Sequence, residues 1–307
     1  MKKKKKEKKI LYQLIFSAFL LFSNAYLVKA NSDILSQDST GKYCINTEQD
    51  YYNFIENIQN YNNKTVILCN DIDISDVPEA TSSFGGILNG KGHTITYASK
   101  EAKENIAVFP FRINDNGIVE NINVQIDESY AYNSETDEFQ TVFSRCDGIA
   151  KGITIKGNVT CIYDDEDTDV YIGAIEGNGT LMDSSIAITY DLQSEKTIEE
   201  IADDIVDNDL SFEFCQLGTI NTGITYQNCI GYGQYSEAIK SLADELEPKI
   251  KDNTWGYLCV SFTRKSFFST SASATNCYYD KENMPDIKIM SEYITTVSYT
   301  HLTLPTN

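Results

Sequence analysis

Histidine is almost missing from this 307-residue chain: His93 and His301 are the only two, and no pair among the eight cysteines has the CxxC spacing. Those shortages speak against a zinc centre, which draws on clustered Cys and His ligands. They also speak against imidazole acid/base chemistry, because neither a second histidine nor a paired nucleophile accompanies His93. Basic residues are outnumbered as well, 25 Lys and Arg against 45 Asp and Glu, for a net charge of −20. A surface of that sign repels nucleic acid and anionic lipid, so neither is an expected partner.

What is present begins with an export signal. Residues 2–9 are Lys apart from Glu7, and residues 10–22 are apolar apart from Gln13 and Ser17. Those are the cationic and apolar parts of a secretion signal, and Val28 and Ala30 suit cleavage after residue 30. The alternative is an uncleaved anchor, since residues 10–28 approach the roughly 20 residues that cross a bilayer. With residues 1–30 removed as a signal peptide, no membrane insertion is expected, and 17 basic against 44 acidic residues remain, a net of −27. The expected location is extracellular, secreted from or displayed on a bacterium of the Gram-positive type. Residues 297–306 read VSYTHLTLPT, which looks like a translated sequencing adaptor. Residues 297–307 are therefore set aside, and one domain is expected over residues 31–296, truncated at its C-terminal end.

With 41% hydrophobic residues, 20 Tyr and 14 Phe, the chain can bury a core despite its charge. All eight cysteines follow the signal. An exported compartment permits disulfides, and the competing reading is small thiols packed in the core. Spacing selects no connectivity.

Along the chain, Thr47 followed by Asp50 resembles a capping box, and Tyr51, Phe54, Ile55 and Ile58 fall on one helical face. A β-branched strand is expected at residues 65–69 and an alternating one at residues 70–74. Residues 84–97 read FGGILNGKGHTITY, two short strands around a glycine turn. The pattern then returns at residues 116–126, 147–157, 179–189, 223–233 and 272–280, each time a Gly or small residue joined to a short alternating strand. With Asn121, Gly152, Ser184, Asn228 and Asn276 as equivalent marks, the steps are 31, 32, 44 and 48 residues. Each long step holds a helical pattern, residues 197–206 and residues 236–246, so insertion accounts for the excess. The expected class is all-β, a parallel solenoid in which each coil buries its apolar row under the next, with an N-terminal capping helix and two inserted helices.

Residues 70–74 (NDIDI), 84–95 (FGGILNGKGHTI), Asn228-Cys229 and residues 276–279 (NCYY) resemble bacterial surface proteins with GLUG-type repeats. The likeness spans about residues 47–280. It implies a right-handed parallel β-helix and an adhesin-like, substrate-binding or spacer role within a larger surface protein, with an extracellular glycan or a host or matrix protein as partner.

For chemistry, Asp165, Asp167, Asp169 and Glu176 are the candidate metal ligands, because D-x-D-x-D offers hard oxygens at calcium-loop spacing. Against Ca²⁺ stand Val170, where a calcium loop turns on glycine, and residues 171–175, which read as a core strand; an acidic turn is the competing reading. His93 is expected to hold a turn, and Asp71, Asp73 and Asp76 to lie on a solvated strand face. No residue is assigned a catalytic or cofactor-binding role. The alternative function is a polysaccharide lyase or glycoside hydrolase. It would require carboxylates, or an Arg and carboxylate set, converging in a groove, and the chain has only Arg112, Arg145 and Arg264 to contribute.

Overall fold

The computed structural model describes residues 35–75, 77–78, 80–98, 107–132, 138–164, 168–208, 210–216, 223–231, 234–246, 248–249, 257–261, 274–275 and 278–279. Residues 1–30, expected to be a signal peptide, the adaptor-like residues 297–307 and Asn276-Cys277 lie outside these residues.

The fold is mostly β with parallel sheets and few helices. It starts with β1 (Tyr43–Ile45), helix α1 (Glu48–Glu56), β2 (Thr65–Leu68) and β3 (Ile72–Ile74). The chain then runs in rounds. The first round is β4 (Ile87–Asn89), β5 (Thr94–Ala98) and β6 (Phe109–Ile113); the second is β7 (Ile118–Glu120), β8 (Asn123–Tyr132) and β9 (Glu138–Cys146). The third is β10 (Ile149–Lys151), β11 (Thr154–Tyr163) and β12 (Val170–Ile175). The fourth, β13 (Thr180–Met182), β14 (Ser185–Gln193) and β15 (Ser211–Cys215), carries helix α2 (Ile198–Asp207) between its last two strands. Next come β16 (Thr225–Gln227), β17 (Ile230–Gly231), β18 (Gln234–Tyr235), helix α3 (Glu237–Leu246) and β19 (Tyr257–Ser261), then β20 (Ala274–Thr275) and β21 (Tyr278–Tyr279).

Strands in the same place in each round pair in parallel. The first sheet runs β1-β2-β4-β7-β10-β13-β16-β20, the second β3-β5-β8-β11-β14-β17-β21 with β18 also on β14, and the third β6-β9-β12-β15-β19. Among the described residues none of the three sheets closes on itself. Alternation decides which side chains meet: in the first sheet Val66, Leu88, Val119, Ala150, Leu181 and Tyr226 stand in one register column, and all are buried. In the second sheet Ile72, Ile95, Val124, Ile155 and Ile186 do the same. No single row could hide its own apolar surface; the next strand over supplies both the backbone partners and the cover.

The expected helices form with small shifts. Thr47 accepts the Asp50 amide at 3.2 Å, but Asp50 reaches back to the Asn46 amide (3.0 Å) rather than to Thr47 itself. Tyr51, Phe54 and Ile55 are buried, and the Phe54 ring lies 5.4 Å from Phe84 and 5.7 Å from Phe111, so α1 covers the interior of the first round. Thr197 and Glu200 form the complete capping box of α2. Both inserted helices sit between a second-sheet and a third-sheet strand and pack on each other, with the Lys249 ammonium 2.7 Å from Asp203.

One equivalence shifts. Register places Asp183, not Ser184, opposite Gly152 and Asn228. Asn121, Gly152, Asp183 and Asn228 all have positive φ, from 50 to 62°, because the chain turns there from the first sheet to the second. Ser184 faces inward, and its hydroxyl takes the Ile153 amide. The first steps are thus even: Ile118, Ile149 and Thr180 succeed one another at 31 residues.

Candidate functional site

Where the third sheet hands over to the first, glycine recurs one residue before β4, β7, β10 and β13, at Gly86, Gly117, Gly148 and Gly179. These positions need glycine for clearance. A Cβ at Gly148 would stand 2.3 Å from the Gly117 carbonyl oxygen, and one at Gly86 would stand 2.4 Å from that of Tyr61. Bare backbone at Gly85 and Gly86 leaves a cleft of about 260 Å³, floored by Ile87 and Ile118 and walled by Asn63, Lys64, Thr65 and Asn116. Asn63 is held at φ 59° with its amide on the Gly85 carbonyl, and the Lys64 ammonium lies over the Tyr43 ring, 5.1 Å from its centre.

The asparagines around this corner divide into two groups. Asn62 caps the Gly85 amide, Asn114 the Asn116 amide, and Asn178 donates to Asp147. The side chains of Asn63, Thr65 and Asn116 make no hydrogen bond among the described residues. Around a half-buried isoleucine floor, they are the polar groups left to bind something else.

One round on, Asp147 occupies the position of Asn116, two residues ahead of the paired strand. Its carboxylate, 5% exposed, accepts Arg112 Nε at 2.6 Å, Arg145 Nε at 3.0 Å and the Asn178 amide at 3.0 Å. Arg145 also reaches Glu176, Nη1 to Oε1 3.1 Å. Arg112 and Arg145 are register partners, and two like charges side by side require the carboxylates between them. Burial raises the Asp147 pKa, but the Arg145 bond, the Asn178 amide and the charges of Arg145 and Arg112 outweigh it and hold the carboxyl below its usual range. A general acid needs the opposite shift. This corner therefore unites the Arg and carboxylate groups that hydrolase or lyase chemistry would call for, yet neutralises them on each other.

The expected ligands of a calcium loop are placed as follows. Asp165 and Asp167 lie outside the described residues. Asp169 accepts the Tyr171 hydroxyl (3.1 Å) and Glu176 pairs with Arg145, at the two ends of β12. Seven extended steps along β12 separate them by roughly 23 Å, so the structure does not bring these two together. Among the described residues no group of three or more His, Cys, Asp or Glu is arranged to hold a metal ion.

His93 lies in the turn, its Nδ1 3.0 Å from Asp71 Oδ1, which also accepts the Thr94 amide. Asp71 and Asp73 are exposed opposite buried Ile72 and Ile74, while Asp76 lies outside the described residues. Cys44 and Cys69 form a disulfide with Cα atoms 5.8 Å apart, and Cys146, Cys161, Cys215 and Cys229 are buried free thiols. Burial, with Asp147 alongside, pushes the Cys146 thiol up to about 12, which makes it a poor nucleophile.

Compared with protein-family models, curated proteins and solved structures, the chain matches none of them.

The sequence pointed to neither Asn63, Asn116 nor the Arg112–Asp147–Arg145 set. A signal existed in the 31-residue spacing of Asn116, Asp147 and Asn178, each standing directly before a corner glycine.

Proposed function

We propose that this chain is a secreted or surface-displayed binding module of a larger bacterial surface protein, built as a right-handed parallel β-helix of the GLUG-repeat kind and contacting an extracellular glycan through the cleft at Asn63, Ile87 and Asn116. The observation that carries the reading is the pair of uncommitted amides over an aliphatic floor, on a corner where Asn62, Asn114 and Asn178 are engaged. Strand pairing at a 31-residue step from Ile87 through Ile118 and Ile149 to Thr180 supports the β-helix, and the Cys44–Cys69 bridge suits an oxidising, exported setting. A sugar ring matches such a cleft, with C–H faces for the isoleucines and hydroxyls for the amides.

The test is a glycan array probed with the full chain, followed by titration of any hit against Asn116→Ala. Binding that weakens about tenfold, the loss of one or two hydrogen bonds, supports the cleft. Selective binding to host matrix proteins and to no glycan would move the contact to a protein partner. Turnover of a bound polysaccharide would replace the binding module with an enzyme.

A further inference from the structure

The cleft is one end of something longer. Along the outer face of the first sheet, Thr65, Ile87, Ile118, Ile149, Thr180 and Thr225 stand opposite one another in successive strands, and all six are half-buried. An outward β-sheet row facing only water is expected to be polar. Here its centre is three consecutive isoleucines, the first two of which floor the cleft. Five steps of about 4.8 Å make the column roughly 24 Å long. Its flank is a second outward column of mixed character, Asn89, Glu120, Lys151, Met182 and Gln227.

We infer that this column is a track for an unbranched, uncharged polysaccharide lying along the direction in which the strands stack, one sugar ring over each side chain; the inference rests on the glycan reading of the cleft. Three features select the ligand. The isoleucines offer a continuous aliphatic ridge on which the C–H faces of successive pyranose rings pack, and the threonines at either end add hydroxyls without interrupting it. The uncommitted groups of Asn63, Thr65 and Asn116 lie beside the first three strands of the column only, so the rings there are anchored by hydrogen bonds and the others by apolar contact. The chain's net charge of −20 disfavours the approach of a uronate or sulfated sugar at long range, although Lys64, over Tyr43 and Tyr61, and Lys151 lie beside the column.

The track predicts a dependence on ligand length that a lone cleft does not. The probes are neutral cello-, chito- and manno-oligosaccharides of two to six rings, titrated calorimetrically into the full chain and two variants. Affinity should rise at least tenfold from the dimer to the hexamer for one of the series. Ile149→Asp, two strands beyond β4, should remove that rise and leave dimer binding unchanged. Ile149→Thr repeats the residue found at Thr180 and Thr225 in the same column; it keeps the fold and should remove part of the rise. Dimer and hexamer binding equally well, or Ile149→Thr retaining the whole rise, overturns the track while leaving the cleft reading intact. Tighter binding of an oligouronate than of every neutral series overturns it as well. If no oligosaccharide binds and a matrix protein does, the glycan reading itself falls.

Discussion

The two corners that flank the third sheet follow opposite rules. Leaving it for the first sheet, three rounds turn through residues 114–117, 147–148 and 176–179, and their backbones touch at Gly117, Gly148 and Gly179 with no space for a methyl group; the later crossing from β15 to β16 is longer. Entering it from the second sheet, the chain takes up α2 in one round and α3 in the next without losing register on either side: Thr189 still faces Gln234, and Ser211 still faces Tyr257. The lesson is that a fold made of repeated rounds tolerates length where the connection bulges outward, because lengthening a surface loop costs only slowly rising closure entropy. It tolerates no extra atom where backbone stacks on backbone, since close-packed atoms cannot yield. The cleft and the charged set both sit at the strict corner, which is where a fixed geometry is to be had.

The sharpest way to break the contrast is a substitution at the strict corner. Gly148→Val places its Cβ against the carbonyl oxygens of Gly117 and Asn114, both backbone atoms. It should cost about 4 kcal/mol or more, at the exceptional end for single substitutions. Loss of the soluble fold, or a fall of roughly 10 °C or more in thermal midpoint at about 2–4 °C per kcal/mol, is the expected outcome. A four-residue Gly-Ser insertion after Gln193, at the permissive corner, should cost under about 1 kcal/mol. Equal destabilisation by the two changes would erase the distinction between the corners.

Next in size is the charge set. Asp147→Ala leaves Arg112 and Arg145 facing each other and strips the Asn178 amide of its acceptor. The cost should be about 2–3 kcal/mol, as for other unsatisfied groups bonded to a charge. Because the folded state holds the Asp147 pKa below its unfolded value, near 3.9 for an ordinary Asp, its contribution is complete above that value and is lost as pH falls through the folded pKa. Denaturant midpoints of the wild type and of Asp147→Asn, measured from pH 6 to pH 2.5, should differ by a constant amount above about pH 5 and converge in the acid limb. A gap that widened on acidification would mean that Asp147 is destabilised where it stands.

How much of this was legible in the sequence differs in the same way from corner to corner. Strands of the first and second sheets announced themselves by alternation, as at Ile72–Ile74 and residues 147–157, because one face is buried and the other is not. The inserted helices were legible from the Thr197/Glu200 cap and from the spacing of Ile239, Leu242 and Leu246. The mark at Ser184 missed by one residue because a small polar residue looks as much like a turn as Asp183 does; only the positive φ separates them. The third sheet was the least visible. β6 contains Pro110, its pairing with β9 slips between Phe109 and Arg112, and β9 slips against β12, so no fixed period carries through. For the same reason Arg112 and Arg145 pair across 33 residues rather than 31. The cleft was hidden for another cause: Asn63 and Asn116 are brought together by β2, β4 and β7 lying side by side, and neither residue carries any local mark of it.

The smallest predicted effect tests how independent the permissive corner is. Thr197→Ala removes the hydroxyl that accepts the Glu200 amide, 3.3 Å away. The partner bond from the Thr197 amide to the Glu200 carboxylate, 2.7 Å, can persist. An N-cap loss of this kind costs about 1 kcal/mol. Buried Ile201, Ala202 and Ile205 still hold α2 against the body, so the helix should stay docked. Amide exchange should quicken in α2 and in α3, which packs on it, while β10 and β11 keep their protection, because local opening stops where the contacts stop. Uniform acceleration through β10 and β11 would show that the inserted helices and the even rounds open as one unit, and the two corners would then differ in tolerance of length but not in stability.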